Sequence, residues 1–223
     1  MTRLTSIYGR LPQLIKAGEL VLLALIVIGW AATDKVSAKS LSTGHLTFSD
    51  ELGGFELVSV SGVGTKVDPI IVVERMRTLD PTLLVIRRSR RKKAPGQTML
   101  RDPIRVVVVK IVINATGRVW GGYDLELQEQ RGKPSVYRDG LSFDQLSSFR
   151  DVELESDRFE KSTWKAEPYD RIRFRQGSVD PNFAVRLNFA ITDITPVPEF
   201  YLLQQPLFLT VQAYPNLQAE LRR

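Results

Sequence analysis

The sequence predicts an all-β domain, a β-sandwich of immunoglobulin-like or jelly-roll-like type, preceded by one N-terminal hydrophobic helix. Three observations lead to this fold class. Runs rich in β-branched and aromatic residues recur along most of the 223 residues. Clusters of Gly, Pro, Asn and Asp separate these runs, and no second long helical period follows the N-terminal segment.

The N-terminal helix has the order of a secretory signal. Arg3, Arg10 and Lys16 precede residues 20–32, an apolar run of 13 residues without charge. A basic region followed by an apolar run of this length is typical of exported proteins. Residues 36–38 (Val-Ser-Ala) then supply a small-x-small cleavage sequence. We therefore assign residues 1–38 to a signal peptide or N-terminal membrane anchor.

Cleavage and anchoring are both open. Residues 20–32 are shorter than the roughly 20 residues that a membrane-spanning helix needs. Extending the helix back to residue 14 gives a span of about 19 residues, in which Lys16 reaches the membrane surface. In either case the positive flank predicts that residues 39–223 lie outside the cytoplasm, in the periplasm or on the outer side of the inner membrane.

Strand patterns occupy most of residues 39–223. Residues 104–113 are almost uniformly apolar, which predicts a central strand. After a turn at residues 114–117, the pattern predicts a bulged strand at residues 120–128, with Asp124, Glu126 and Gln128 facing water. Further predicted strands cover residues 55–60, 70–74 and 82–86, and residues 61–65 form a plain turn. Residues 200–203 and 207–211 add one or two strands at the C-terminal end.

Two segments carry more specific expectations. Residues 171–175 and 183–191 alternate apolar and polar side chains, and we predict that they pair as a hairpin. Residues 145–158 are polar and lack Gly and Pro, which allows a short helix or a long polar loop.

The composition excludes several kinds of active site. The chain has no cysteine and one histidine, His45. Thiol nucleophiles, disulfides, zinc fingers and iron–sulfur clusters are therefore absent, and a Ser-His-Asp triad would have to use His45. We predict no catalytic residue, no metal site and no cofactor. Asp124 and Glu126 form the carboxylate pair to test for glycoside hydrolysis, although such spacing is common on the wet side of a strand.

A dense basic segment is the first candidate for partner binding. Residues 39–223 contain 27 basic and 23 acidic residues, a net charge of +4, and six of the basic residues lie within residues 87–93. We predict that this segment projects as a basic hairpin loop that attracts an anionic envelope partner. Export and the lack of aromatic residues in the loop make nucleic acid an unlikely partner. Its basic residues are Arg87, Arg88, Arg90, Arg91, Lys92 and Lys93.

Four arginines form a second candidate surface. If residues 171–191 form one hairpin, Arg171, Arg173, Arg175 and Arg186 share one of its faces. Such a face suits an anionic ligand, and it equally suits ordinary surface ion pairs.

One short region resembles a known group of proteins. Residues 114–127, with Asn114, Trp120 and Tyr123, and the following residues 139–143 resemble the Asn-x-Thr-Gly-x-x-Trp unit of uncharacterised bacterial exported β-sandwich proteins, including PEP-CTERM-type ones. The resemblance implies an exported β-sandwich and no activity.

These observations lead to one leading hypothesis and two alternatives. The leading hypothesis is a non-enzymatic envelope binding or assembly module that is membrane-anchored or periplasmic. In the first alternative, residues 14–32 remain as a transmembrane helix and the chain is an accessory subunit of a membrane protein complex. In the second, it is a carbohydrate-active enzyme.

Overall fold

The chain divides into two compact units, Met1–Ser37 and Ala38–Arg223. Our computed structural model describes only residues of the second unit, namely 38–89, 103–143, 152, 154–166 and 168–209. The predicted N-terminal helix lies outside the described residues. Within the described part of the chain, no helix is long and apolar enough to cross a membrane.

The described residues form thirteen strands in two sheets and one short 3₁₀ helix, Tyr137–Asp139. The seven-stranded sheet contains, from edge to edge, β1 (Ser40–Thr43), β2 (Leu46–Ser49), β5 (Thr82–Arg88), β13 (Glu199–Phe208), β7 (Trp120–Gln128), β11 (Arg171–Val179) and β10 (Phe159–Lys165). The six-stranded sheet contains β3 (Phe55–Ser61), β4 (Ile70–Met76), β6 (Ile104–Asn114), β12 (Ala184–Asp193) and β8 (Leu141–Ser142), and β9 (Glu155–Ser156) also pairs with β12. The predicted all-β, sandwich-like class is therefore confirmed.

One hydrophobic core combines side chains from both sheets. Strand β6 lies between β4 and β12, so the central strand predicted from its apolar sequence is confirmed. The alternation along β7 is also confirmed for the apolar side chains, because Trp120, Tyr123, Leu125 and Leu127 are fully buried. The predicted bulge is present at Gly121, where the β7–β13 register shifts.

The predicted hairpin of β11 and β12 is wrong. Strand β11 belongs to the seven-stranded sheet and β12 to the six-stranded sheet. In a hairpin, Phe174 and Phe189 would share one face of a single sheet, whereas here both are fully buried in the core between the sheets. The connection is stabilised at Asn182, which adopts a left-handed conformation with φ 69° and donates its backbone N–H to the Asn114 carbonyl.

The polar segment at residues 145–158 contains the short strand β9 where a helix or loop was expected, and β10 follows this segment. Glu155–Ser156 pairs with β12, and Phe159–Lys165 forms β10 at the edge of the seven-stranded sheet. An edge strand buries little of its surface, so its sequence need not show strong alternation. Residues 144–150 lie outside the described residues.

The predicted strands at the C-terminal end form one strand, β13, that runs through Pro206. Proline lacks an N–H and cannot complete a ladder on both sides of a strand. At Pro206 only β7 is paired, because the pairing with β5 has already ended at Gln204. The side of β13 that faces β5 is therefore unpaired at Pro206.

The first two residues of the basic segment lie at the end of strand β5. Strand β5 ends at Arg88 and β6 begins at Ile104, so residues 89–103 connect the two sheets. The predicted hairpin loop is therefore wrong, and Arg87 and Arg88 are strand residues. Strand β12 ends at Asp193, opposite Ile104, and we name this the Asp193 end. Strand β13 runs away from it.

Candidate binding surface

Arg87, at the start of the basic segment, is held by two carboxylates. Its Nη1 donates to Glu51 Oε2 at 2.7 Å and its Nη2 to Glu51 Oε1 at 2.5 Å, a bidentate pair. Its Nε lies 2.6 Å from Glu199 Oε2 on β13. The hydrogen bonds from Arg87 lower the pKa of Glu51 to about 2. The positive charge of Arg87 is therefore already balanced by carboxylates of the same domain.

The next residues are held by their backbone. The Arg88 N–H donates to the Pro198 carbonyl at 2.9 Å, and the Ser89 N–H donates to the His45 carbonyl at 2.7 Å. His45 is exposed and lies in the turn between β1 and β2. Arg90, Arg91, Lys92 and Lys93 lie outside the described residues.

Carboxylates gather at the Asp193 end, and backbone N–H groups hold two of them. Asp139 accepts from the N–H groups of Val136 and Leu141, and Asp193 accepts from those of Thr195 and Val197. Burial raises the pKa of Asp193, and the nearby Asp139 charge raises it further. Arg88, the last described basic residue of the segment, thus lies at a domain end with organised acidic loops.

Asp170 lies close to these carboxylates and is fully buried. Its Oδ1 accepts from Trp164 Nε1 at 2.6 Å, and its Oδ2 accepts from the Phe143 N–H at 3.2 Å. Burial raises its pKa to about 6, although these hydrogen bonds partly oppose the shift. Asp170 therefore ties β10 and the end of β8 to the start of β11.

The arginines of β11 form cross-strand pairs with β7. Register places Arg171 opposite Glu126 and Arg173 opposite Asp124 on the outer face of the sheet. Arg171 Nε donates to Glu126 Oε2 at 3.0 Å. Arg175 Nη1 lies 2.6 Å from Asp124 Oδ1, while Arg173 Nε is 4.0 Å from Asp124 Oδ2. We name this group the outer-face ladder.

The ladder corrects two expectations. Glu126 and Gln128 were predicted to face water, yet both are buried: Arg171 covers Glu126, and Gln128 donates its Nε2 to Glu126 Oε1 at 3.0 Å. Asp124 is similarly covered by Arg175. Arg186 does not share this face, because it is an exposed residue of β12 in the other sheet. Cross-strand register, which the sequence did not reveal, produces the ladder.

The glycine-rich turn at residues 61–65 is a turn, as predicted. Three successive N–H groups, from Val63, Gly64 and Thr65, donate to the single carbonyl oxygen of Asp68. Successive N–H groups of this kind bind anions when they are unoccupied. Here the chain itself occupies them.

A charged pair in the core was missed by sequence reasoning. Lys110 of β6 and Glu74 of β4 are both fully buried, and Lys110 Nζ lies 2.5 Å from Glu74 Oε1. Lys110 is the one charge within the apolar residues 106–113, and it is the only sequence signal of the pair. We name it the core pair.

One depression and one carboxylate pair are the other features of the described residues that were considered for a site. A shallow depression of about 300 Å³ is lined by Gly117, Arg118, Val119, Phe208 and Leu209. No group of three or more metal-ligating side chains occurs in the described ranges. Asp124 and Glu126, the pair considered for glycoside hydrolysis, are each engaged by arginine.

No protein-family model matches this chain, and no curated protein or solved structure is detectably similar to it. The resemblance of residues 114–127 to exported β-sandwich proteins therefore stays a prediction. In the structure, the Asn114 side chain donates to the carbonyls of Arg118 and Val179 and accepts from Thr116. Trp120 Nε1 donates to Thr116 Oγ1 at 3.0 Å. The shared residues thus have a structural role in the connection between β6 and β7.

Proposed function

We propose that this chain is a non-enzymatic envelope binding or assembly module that contacts an anionic partner through its basic segment. It is held at the inner membrane by residues 14–32 or released into the periplasm. The observation that carries the proposal is the concentration of six basic residues in seven positions, next to strand β5 at one end of an all-β domain. The signal-like order of residues 1–38 supports export.

The pairing of the described arginines narrows the proposed contact. Arg87, Arg171 and Arg175 already bind carboxylates of the same domain. A new anion at these positions would have to displace those partners. We therefore assign the main contact to the remaining residues of the segment, which are Arg88, Arg90, Arg91, Lys92 and Lys93.

The contact lies away from the place where β1 begins. Strand β1 runs toward the Asp193 end, since its last residue, Thr43, is level with Leu46 and Arg88. Lys39, just before β1, is bonded to Asp50 on the side away from that end. Strand β13 also finishes at the opposite end. A partner of the basic segment thus binds at the Asp193 end of the domain. Strand β1 begins and strand β13 ends at the opposite end.

Charge removal tests the proposed contact. Replacing Arg90, Arg91, Lys92 and Lys93 with Gln should abolish low-salt binding to phosphatidylglycerol vesicles or to immobilised polyglutamate. Each basic residue near an anionic membrane contributes about 1 kcal/mol, so the loss on vesicles is at least about 100-fold. Unchanged binding to both probes would contradict the proposal, and loss on one probe alone identifies lipid or an acidic protein as the partner class.

The matched control removes the same number of charges elsewhere. Arg131, Lys133, Lys161 and Lys165 are exposed residues outside the segment. Their replacement with Gln should leave binding within about threefold of the original, because long-range attraction depends on where charge is concentrated. An equal loss in both variants would show that net charge, and not the segment, determines binding.

The state of the N-terminus, together with the proteins that co-purify, separates this proposal from its alternative. Mass and N-terminal sequence of the protein from fractionated cells should show either a start near Lys39 in the soluble envelope fraction or an intact Met1 in the membrane fraction. Co-purification of membrane proteins with the intact form would favour an accessory subunit of a membrane complex.

The finer fold assignment, immunoglobulin-like or jelly-roll-like, remains part of the proposal. A fold of either type that is assigned to this chain must contain the parallel pairing of β4 with β6.

A further inference from the structure

The core pair joins two neighbouring strands of the six-stranded sheet. Strands β4 and β6 are parallel, and their register places Glu74 opposite Val112 and Lys110 opposite Val72. The two charged residues are therefore diagonal neighbours on the inward face. The residues directly opposite them on adjacent strands are all buried and apolar: Leu57, Val72, Val112 and Leu187.

Within the described part of the chain, neither headgroup has another hydrogen-bond partner. Lys110 Nζ and both carboxylate oxygens of Glu74 are buried without an aligned hydrogen bond, although Nζ and Oε1 are only 2.5 Å apart. Buried ions normally gain several hydrogen bonds to offset the loss of water. A lone pair of opposite charges in an apolar core is thus an expensive arrangement.

Tyr123 and Gln204, two buried polar residues of the facing sheet, do not supply those hydrogen bonds. Tyr123 Oη donates to Gln204 Oε1 at 3.2 Å, and Gln204 Nε2 has no partner among the described residues. Burial raises the pKa of Tyr123, and the Glu74 charge raises it further. Burial also lowers the pKa of Lys110. Burial therefore disfavours the charged form of the amine, and the Glu74 charge opposes this effect.

We propose that Lys110 and Glu74 form an intramolecular amide bond in the folded protein. Transfer of a proton from Nζ to the carboxylate gives a neutral amine and a neutral carboxylic acid. The Nζ lone pair then attacks Glu74 Cδ, the Cδ–N bond forms, one Cδ–O bond breaks, and the oxygen leaves as water with one proton from Nζ. The reaction is a dehydration and needs no oxidant or co-reactant.

Two physical effects drive this reaction. The fold holds amine and carboxyl in contact, which gives the high effective concentration of an intramolecular reaction. The product also replaces two buried charges with one neutral amide, removing the desolvation penalty of the ion pair. The link would covalently close the chain between residues 74 and 110, which includes the whole basic segment, in a protein with no cysteine for a disulfide.

Peptide mapping of the full-length protein tests the bond, independently of the proposed function. Trypsin cuts after Lys66, Arg75, Arg105 and Arg118, and it does not cut at an acylated lysine. We expect residues 67–75 linked to residues 106–118, with a combined mass one water below the sum. Fragmentation should place the link on Glu74 and Lys110.

The opposite result is equally distinct. Free peptides covering residues 67–75, 106–110 and 111–118, with no linked species, would overturn the proposal. The variant Lys110→Arg retains a cation but lacks the amine, and it should release residues 67–75 unlinked. If this variant does not fold, the map of the original protein still decides, because cleavage after Lys110 occurs only when its amine is free.

Discussion

Charged side chains are paired in different ways in the two sheets. In the outer-face ladder, half-exposed arginines reach over the carboxylates of β7 from a neighbouring strand, and Glu126 also accepts from Gln128. In the core pair, Lys110 and Glu74 have only each other. The long guanidinium keeps contact with water while it covers an acid, whereas a lysine pointing into the core cannot. Removing one charge from the core pair is therefore expected to lower the stability much more than removing one charge from the outer-face ladder.

The largest effect is expected from breaking the core pair. Lys110→Met leaves Glu74 buried without its partner and removes the proposed amide, so we expect a loss of about 3–5 kcal/mol in the free energy of unfolding. Urea denaturation measures this loss. The double variant Lys110→Met, Glu74→Leu should recover part of the stability but remain below the original protein. A double variant more stable than the original would indicate a simple ion pair.

Asp170 gives an intermediate case, a buried carboxylate held by neutral donors. Its pKa is raised in the folded state to about 6 from 3.8, so the folded state binds the proton more tightly. Its contribution to stability is complete below about pH 4 and is lost as the pH rises through 6, by up to about 3 kcal/mol. In Asp170→Asn this dependence should disappear, as followed by denaturation at several pH values. Parallel pH curves for the two proteins would contradict the assignment.

The outer-face ladder should be more tolerant. Arg171→Gln removes one partly exposed partner of Glu126, which keeps its bond from Gln128. We expect a loss of about 1 kcal/mol in urea denaturation, in the range of partly solvated pairs. A loss as large as that of Lys110→Met would contradict this expectation. It would show that the cost in the free energy of unfolding depends on the burial of the carboxylate alone and not on the burial of both partners.

The smallest effect is expected at Arg87, whose pairs are the most exposed of those compared. The folded-state pKa of Glu51 is lowered to about 2, so its contribution is present above pH 4.5 and is lost as the pH falls through 2. Arg87→Gln should cost less than about 1 kcal/mol at neutral pH, because solvent screens the pair. The difference from the original protein should vanish toward pH 2, as thermal unfolding would show.

The contrast between the two sheets also shows what local sequence predicts. Alternation in residues 120–128 and 183–191 identifies most of the apolar residues that enter the core, with Phe183 exposed as the exception, since a strand has two faces whatever it pairs with. The same alternation placed Asp124 and Glu126 in water. Whether a polar face is wet depends on the side chains of the neighbouring strand, and these come from residues 171–175.

Turns were predicted well where their own residues determine the geometry. The turn at residues 61–65 follows from glycines with positive φ, including Gly62, where an added Cβ would collide with the Pro69 carbonyl. The turn at Asn114 follows from side-chain hydrogen bonds to nearby backbone. The prediction for the connection between β11 and β12 was wrong because a short loop with Pro and Asn permits either a hairpin or a crossing between sheets.

The sequence by itself determined the all-β class, the central strand β6 and most of the core, because these depend on local hydrophobic periodicity. It also located the basic segment and the absence of cysteine, which are matters of composition. The tertiary structure alone decided that β11 and β12 lie in different sheets, that the arginines of β11 cover the acids of β7, and that Lys110 meets Glu74. Each of these depends on which distant strands become neighbours, and that choice is made by burial of the whole core.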